Sequence, residues 1–387
     1  MNKPRLIFYD SSRVYYSSYY LNGFNELREA GNLHMSISHT IPAQFKSALQ
    51  NKDWQHLLFT MHLFKYRKGE KEYFFCIDTH DSNDIDVHTR SGGYHLPLLQ
   101  QVDAYFKVNF NPEIIARTPI LKVFDSKIYS IPQFFPLKPS LPFSLSHKLA
   151  LPSKWFGYTP GLSYIQPYDG HLSEAKYRLR DLKNFPTLKQ VIAYRKAPKN
   201  IDIFYVTSYR HQERHEKIMQ HRLRVMKKLA DIPTLNTVKG FTSYHALPEE
   251  YVHESRQRLS QMEYLETLAR SRIVIYTQGI ESCISSKFGL AMALGVTVVG
   301  EPLANNPQML TTYPHLKEQF GYTDPDELVN QAIRLANDPD KTQTLGTLNA
   351  AMFDQYLAPR PSANYVLQIL DKIPLLKNKL LISSMNS

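Results

Sequence analysis

The sequence of 387 residues is poor in several things, and each shortage narrows what the protein can be. It has two cysteines, Cys76 and Cys283, both in apolar or small-residue stretches. A secreted chain of this size usually carries more, so both are expected to be reduced thiols of a cytosolic protein. No window reaches the roughly 18 apolar residues of a membrane span. The first residues, MNKPRLIFYD, read as a short strand-like run rather than a signal peptide. No internal repeat and no low-complexity tract is visible. Tryptophan is rare, at 2, beside 25 Tyr and 20 Phe. That aromatic surplus either fills a core or offers surfaces on which sugars and bases stack. Acid is short as well: 35 Asp and Glu face 46 Lys and Arg, leaving +11 and a pI near 9.3. Such a balance implies an anionic partner without choosing between a phosphorylated ligand, an acidic polymer, nucleic acid and a membrane surface.

What is present is enough apolar residue, 43%, to bury a substantial interior. The length suits two domains of roughly 150–200 residues. Strand-like and helical runs alternate, which predicts an α/β protein. In the first half the strands are LIFYD (6–10), EYFFCID (72–78) and AYFKVNF (104–110). Residues 131–167 hold seven of the 24 prolines, so that stretch reads as extended and irregular. The boundary is expected near RKAPKN (195–200). IDIFYVTS (201–208) then reads as a strand, followed by a helix over about 210–230 with Met219, Leu223, Met226 and Ala230 on one face. TVKGFTSY (237–244) is a short strand candidate. Ser260 and Glu263 form a capping box for a helix carrying Met262, Leu265, Leu268 and Ala269. The tail, 362–381, is an amphipathic helical pattern broken at Pro374.

The stretch YTQGIESCISSKFGLAMALGVTVVG (276–300) carries the clearest chemistry. RIVIYT (272–277) reads as a buried strand and VTVVG as another. SSKFGLAMAL between them is a short helix with Ser285 or Ser286 as N-cap, Gly289 for close approach of a neighbouring backbone, and Gly295 as a left-handed terminator. The unit is therefore βαβ, with parallel strands and a right-handed crossover. Its polar middle lies beyond a carboxyl strand end at a helix N-terminus, where open α/β sheets bind ligands and where free N–H groups favour an anion. Ser282, Ser285 and Ser286 add hydroxyls. Lys287 adds a charge that opposes the helix dipole by about 0.3–1 kcal/mol unless an anion compensates it. The end of IDIFYVTS repeats the arrangement, with Ser208, Arg210 and Arg214 at a second helix start. The densely basic RHQERHEKIMQHRLRVMKK (210–228) reads either as a solvated face or as a contact for an acidic acceptor or membrane.

Taken together, DIFYVTSYR, MEYLETLARSR, IVIYTQG and the serine-rich turn with Lys287 eight residues before Gly295 resemble the donor-binding half of a GT-B glycosyltransferase. The nearest likeness is to the exostosin-like and related bacterial groups, over roughly residues 200–300. The resemblance implies an α/β protein of two Rossmann-like domains facing a central cleft. The expected division is an acceptor-side domain over 1–190, a nucleotide-sugar-binding domain over 191–360, and a helical tail over 361–387 that crosses back. It further implies a nucleotide-diphosphate sugar held by Ser208, Arg210, Gln278, Gly279, Glu281, Ser282, Ser285, Ser286 and Lys287. No other cofactor and no metal are implied, and the acceptor is a glycan or lipid-linked saccharide of polysaccharide biosynthesis. Where the family often has a ribose-binding glutamate, this chain has Leu290, and Glu281 is out of register with it.

For catalysis, the loop CIDTHDS (76–82) follows a predicted strand of the first half. His80 or Asp81 is a candidate general base for an acceptor hydroxyl, with Asp78 orienting His80. Asp78, His80, Asp81, Asp84, Asp86 and His88 have the ligand types of a metal site but irregular spacing that fits no standard one. Tyrosines of VYYSSYYLNGF (14–24) are candidates either for core or for sugar stacking. Three functions stay open at this level: glycosyl transfer, epimerisation of a nucleotide sugar on the same fold, and nucleic-acid binding or glycosylation. A cytoplasmic location is expected, with the basic tail allowing peripheral contact with the inner membrane face.

Overall fold

The computed structural model describes residues 3–10, 14–38, 41–83, 93–140, 171–279 and 282–385. The chain is α/β and carries two sheets. The first contains β1 (Arg5–Tyr9), β2 (His34–Ser38), β3 (Met61–Lys68), β4 (Lys71–Asp78), β5 (Ala104–Lys107) and β6 (Ile128–Ser130) in the order β2-β1-β3-β4-β5-β6. All of these run the same way except β3, which is antiparallel to both neighbours. A tight turn with Gly69 at φ 62° makes the β3–β4 hairpin, a backbone setting that suits glycine. The first sheet thus departs from an all-parallel Rossmann pattern by one central strand.

The second sheet contains β7 (Ile201–Ser208), β8 (Thr237–Thr242), β9 (Ser271–Tyr276) and β10 (Thr297–Gly300) in the order β10-β9-β7-β8, all parallel. β9, β10 and most of β7 are buried along their length, as expected for strands covered on both faces.

Helices supply the covers. α1 (Val14–Glu29) follows β1, and α2 (His171–Asn184) lies against it. α3 (Glu216–Ala230) buries Met219, Leu223, Met226 and Leu229, while Ala230 is exposed because the helix ends as its stripe turns away. α4 (Gln261–Ala269) has both halves of the Ser260–Glu263 capping box in place. α5 (Ser286–Leu294) is N-capped by position 285 and stops at Gly295, φ 63° and ψ 37°. α6 (Pro325–Ala336) packs beside α3. α7 (Pro359–Met385) is one continuous helix through Pro374, since a single proline forfeits only one of its hydrogen bonds. It returns to the first half. Tyr66 and Lys68 of β3 both bond Asp371, at 3.2 and 2.6 Å. Gly23 of α1 meets the Pro359 carbonyl so closely that a β-carbon would lie 2.0 Å from its oxygen.

One hydrophobic cluster runs through both halves, joining Phe24, Phe75 and Phe106 to Phe135, Phe288, Met292 and Val366. At Gly289 the backbones of the two halves come close, with the Gln133 carbonyl 3.2 Å from where its β-carbon would be. Two further clusters fill the outer faces of the sheets. The carboxyl ends of the sheets face one another. Loops after β9 and β10 bond to those after β4 and β5 and to β6: Ile284 N–H to Asn109 Oδ1 at 2.8 Å, Asn83 Nδ2 to Asn305 Oδ1 at 2.7 Å, and Ser130 Oγ to Asn306 Oδ1 at 2.6 Å.

Candidate functional site

The two turns singled out in the sequence adjoin in space. Arg222, on α3, ties them together: its Nη2 donates to the Gln278 carbonyl at 2.8 Å and its Nη1 to the Ser208 carbonyl at 3.4 Å. Lys287, in the first turn of α5, reaches across and donates to the Val206 carbonyl near the end of β7. Both bonds depend on parallel pairing of β7 and β9, which puts their carboxyl ends side by side.

The junction gathers Lys287, Arg222 and Arg210, with the Glu301 carboxylate beside them on the Gln278 N–H. The groups acting on Lys287 from the described residues are Arg222 and Arg210, both positive. Burial first, and these cations second, push the Lys287 ammonium down to about 7. A lysine held next to two guanidinium groups and bonded only to a neutral carbonyl is expensive.

The turn between β9 and α5 is shaped for close approach. Gly279 N–H donates to the Cys283 carbonyl at 3.0 Å, and a β-carbon at 279 would lie 2.2 Å from Cys283 Sγ. Ser282 sits at φ 59°, a left-handed setting uncommon for serine, and its carbonyl accepts from Asn305 Nδ2 at 3.1 Å. Ser285 occupies the N-cap position without a side-chain capping bond, which leaves its hydroxyl unused by the helix start. Ser286 bonds the Tyr15 hydroxyl of α1. Gln278 is fixed on both ends, by its N–H to Glu301 Oε2 at 2.6 Å and its Nε2 to the Pro302 carbonyl at 2.8 Å. Arg210 is exposed beside this junction, and Ser208 ends β7. Glu281 lies outside the described residues. Leu290 packs against the shared core, so that position presents no polar group to a ligand.

In the first half, Asp78 is fully buried at the end of β4 and paired with Lys107 at the end of β5, 2.9 Å apart. It also accepts from Tyr105 Oη and from the His80 backbone N–H, both at 2.7 Å. Burial pushes its carboxyl up, opposed by Lys107 and Tyr105. Asp78 therefore fixes the backbone of His80, not its ring as expected. The His80 ring takes the Ser82 N–H on Nδ1 at 3.2 Å. Burial, then Lys107, hold it neutral with a pKa of about 3. With one nitrogen occupied and the other protonated, His80 is a poor proton acceptor. Asp81 is exposed, and its charge acts on Tyr15, whose hydroxyl bonds Ser286. The structure thus brings both Asp81 and the α5 turn within reach of one tyrosine. The remaining members of the suspected metal cluster, Asp84, Asp86 and His88, lie outside the described residues. Among the described residues no group of three or more potential ligands is placed to hold a metal, and no helix is long and apolar enough to cross a membrane. Cys76 and Cys283 are both buried and unbridged.

Sequence reasoning missed Arg222 and Glu301, and named Tyr15 only within a tyrosine-rich segment offered for core or sugar stacking. Arg222 carried a signal: it falls three residues after Met219 and four before Met226, on the apolar stripe of α3. Glu301 and Tyr15 join the site only through the tertiary fold. The tyrosine-rich segment divides, with Tyr19 and Tyr20 in the core and Tyr15 and Tyr16 half-buried.

No protein-family model matches the chain, and no curated protein matches it. Solved structures do. A candidate UDP-N-acetylglucosamine 2-epimerase from Listeria monocytogenes is 12% identical over 96% of each chain, with a TM-score of 0.44. A glycosyltransferase from Rickettsia africae is 10% identical over 89% of this chain and 72% of its own, at 0.37. A BGT mutant of phage T4 in complex with UDP-glucose is 12% identical over 92% of this chain and 94% of its own, at 0.36. With TM-scores below one half, these likenesses carry no argument about the chemistry of this chain.

Proposed function

We propose that the chain is a glycosyltransferase that moves a sugar from a nucleoside-diphosphate donor to a hydroxyl of a glycan or lipid-linked saccharide, without a metal. The observation that carries this reading is the cluster of Lys287, Arg222 and Arg210 at two adjoining strand ends, held at a helix start. Positive groups fixed in advance where a diphosphate leaves stabilise the charge that develops there, which is the role a divalent cation fills elsewhere.

In the proposed reaction, the acceptor oxygen forms a bond to the anomeric carbon. The bond from that carbon to the diphosphate oxygen breaks, and its electron pair departs with the nucleoside diphosphate into the cation cluster. In this reading the hydroxyl proton passes to Asp81, an exposed carboxylate whose charge acts on Tyr15. Tyr15, bonded to Ser286 of the α5 turn and acted on by the Asp81 charge, connects the proposed base with the proposed phosphate cradle.

The test is a thermal-shift panel of nucleoside diphosphates, followed by product analysis with nucleotide sugars and saccharide acceptors. Release of nucleoside diphosphate matched by glycosylated acceptor supports the reading. Conversion of one nucleotide sugar into its epimer with no acceptor present replaces it with the epimerase. Absence of stabilisation by every nucleoside diphosphate overturns both. Tight, steeply salt-dependent binding of DNA or RNA instead would explain the basic charge through a nucleic-acid partner.

A further inference from the structure

Near the N-terminus of α3, two polar groups lack the partners that their burial demands. His215 precedes the helix, is 3% exposed, and has no hydrogen-bond partner on either ring nitrogen among the described residues. Arg222, 8% exposed, has its Nε in the same state. Native structures rarely leave buried donors and acceptors unmatched, and each one calls for a reason. The surroundings of His215 add to the demand. The charges acting on it are Arg214, Arg210 and Arg222, all positive, and together with burial they keep the ring neutral. Two of the three, Arg210 and Arg222, are also the cations that act on Lys287. His215 before α3 and Lys287 in α5 therefore share a pair of guanidinium groups.

A neutral imidazole offers one N–H, and Arg222 Nε offers another. Within a positive field, the group that matches both donors is an anion rich in oxygen. We propose that His215 and Arg222 Nε form a second phosphoryl subsite, contiguous with the one at Lys287, so that the site takes a diphosphate lengthwise and prefers it to a single phosphate. This rests on the diphosphate reading above and adds to it which residue grips the second phosphoryl group. Arg222 is the hinge between the two subsites, its Nη groups holding the Ser208 and Gln278 carbonyls while Nε remains for the ligand.

The experiment titrates the full chain with pyrophosphate and with orthophosphate by calorimetry. The wild-type chain should bind pyrophosphate more tightly, and His215→Ala should cut that preference about tenfold without changing the affinity for orthophosphate. His215→Gln restores one N–H and should recover part of the preference. It also carries the same test if the alanine variant fails to fold by circular dichroism. Lys287→Ala should weaken both ions. An undiminished preference in the His215 variants overturns the subsite, as does an equal loss for both ions, which would mark a purely structural role. A wild-type chain that binds neither ion overturns the diphosphate reading itself.

Discussion

Replacing Lys287 with methionine should make the protein more stable and less able to bind its ligand. The lysine's amino group titrates near 7 in the folded chain and near 10.5 in the unfolded one. The folded value is the lower, so between pH 7 and pH 10.5 the unfolded chain holds the extra proton. Stability then rises with pH across that window; the penalty is complete below 7 and gone above 10.5. At about 1.36 kcal/mol per pH unit, that difference caps the penalty near ~5 kcal/mol. Solvent reaching the half-buried side chain lowers it, and loss of the bond to the Val206 carbonyl takes back about 1 kcal/mol. The net gain expected for Lys287→Met at pH 7 is about 2–4 kcal/mol, shrinking to near zero or reversing by pH 10. Denaturant unfolding at the two pH values measures it, and pyrophosphate titration measures the loss of binding. A variant that is less stable at neutral pH, equally stabilised at both, or still able to bind pyrophosphate would refute the argument that this lysine is held against its own electrostatics for an anion.

Other consequences can be tested separately. Because Lys287 must be charged to hold a diphosphate, wild-type affinity for pyrophosphate should fall roughly twentyfold from pH 7.5 to pH 9, with proton uptake on binding in calorimetry; a flat profile would remove Lys287 from the site. Asp78→Asn strands Lys107 in a dry interior and should cost about 3–5 kcal/mol in thermal or denaturant unfolding. The double change with Lys107→Met should recover most of that, and a single-variant cost below about 1 kcal/mol would mean the pair is not dry. Asp81→Asn should slow turnover by about 10²–10⁴ with the fold intact, whereas His80→Gln should leave the rate within a few-fold; the opposite ranking would return the base to His80.

The second half was legible because its signals are local. The Ser260–Glu263 box, Gly295 as a helix stop and the uninterrupted apolar runs of β9 and β10 each specify their element within a few residues. The first half was less so. β3, MHLFKYRK, carries three basic residues in an eight-residue strand and does not resemble a central strand, yet its two faces are covered by partners distant in sequence. β2 and β6 are short and half-exposed, with little apolar pattern to read. At the site, the serines, Gly279 and Lys287 were visible as a turn at a helix start. The ion pair of Asp78 with Lys107 was not, since nothing in CIDTHDS announces a lysine 29 residues on. Arg222 and His215 were hidden in a basic run that reads as solvated until α3 is seen to turn them inward.

The asparagines that follow β10 have a mechanical consequence. Asn306, at φ 57°, gives its N–H to the Phe110 carbonyl and its Nδ2 to the Val108 carbonyl, while neighbouring Asn305 holds the Ser282 carbonyl. One short connector thereby grips the rim of the first sheet with one residue and the turn before α5 with the next. Any hinge opening between the halves must pull on that turn, so a ligand that stiffens the turn also resists opening.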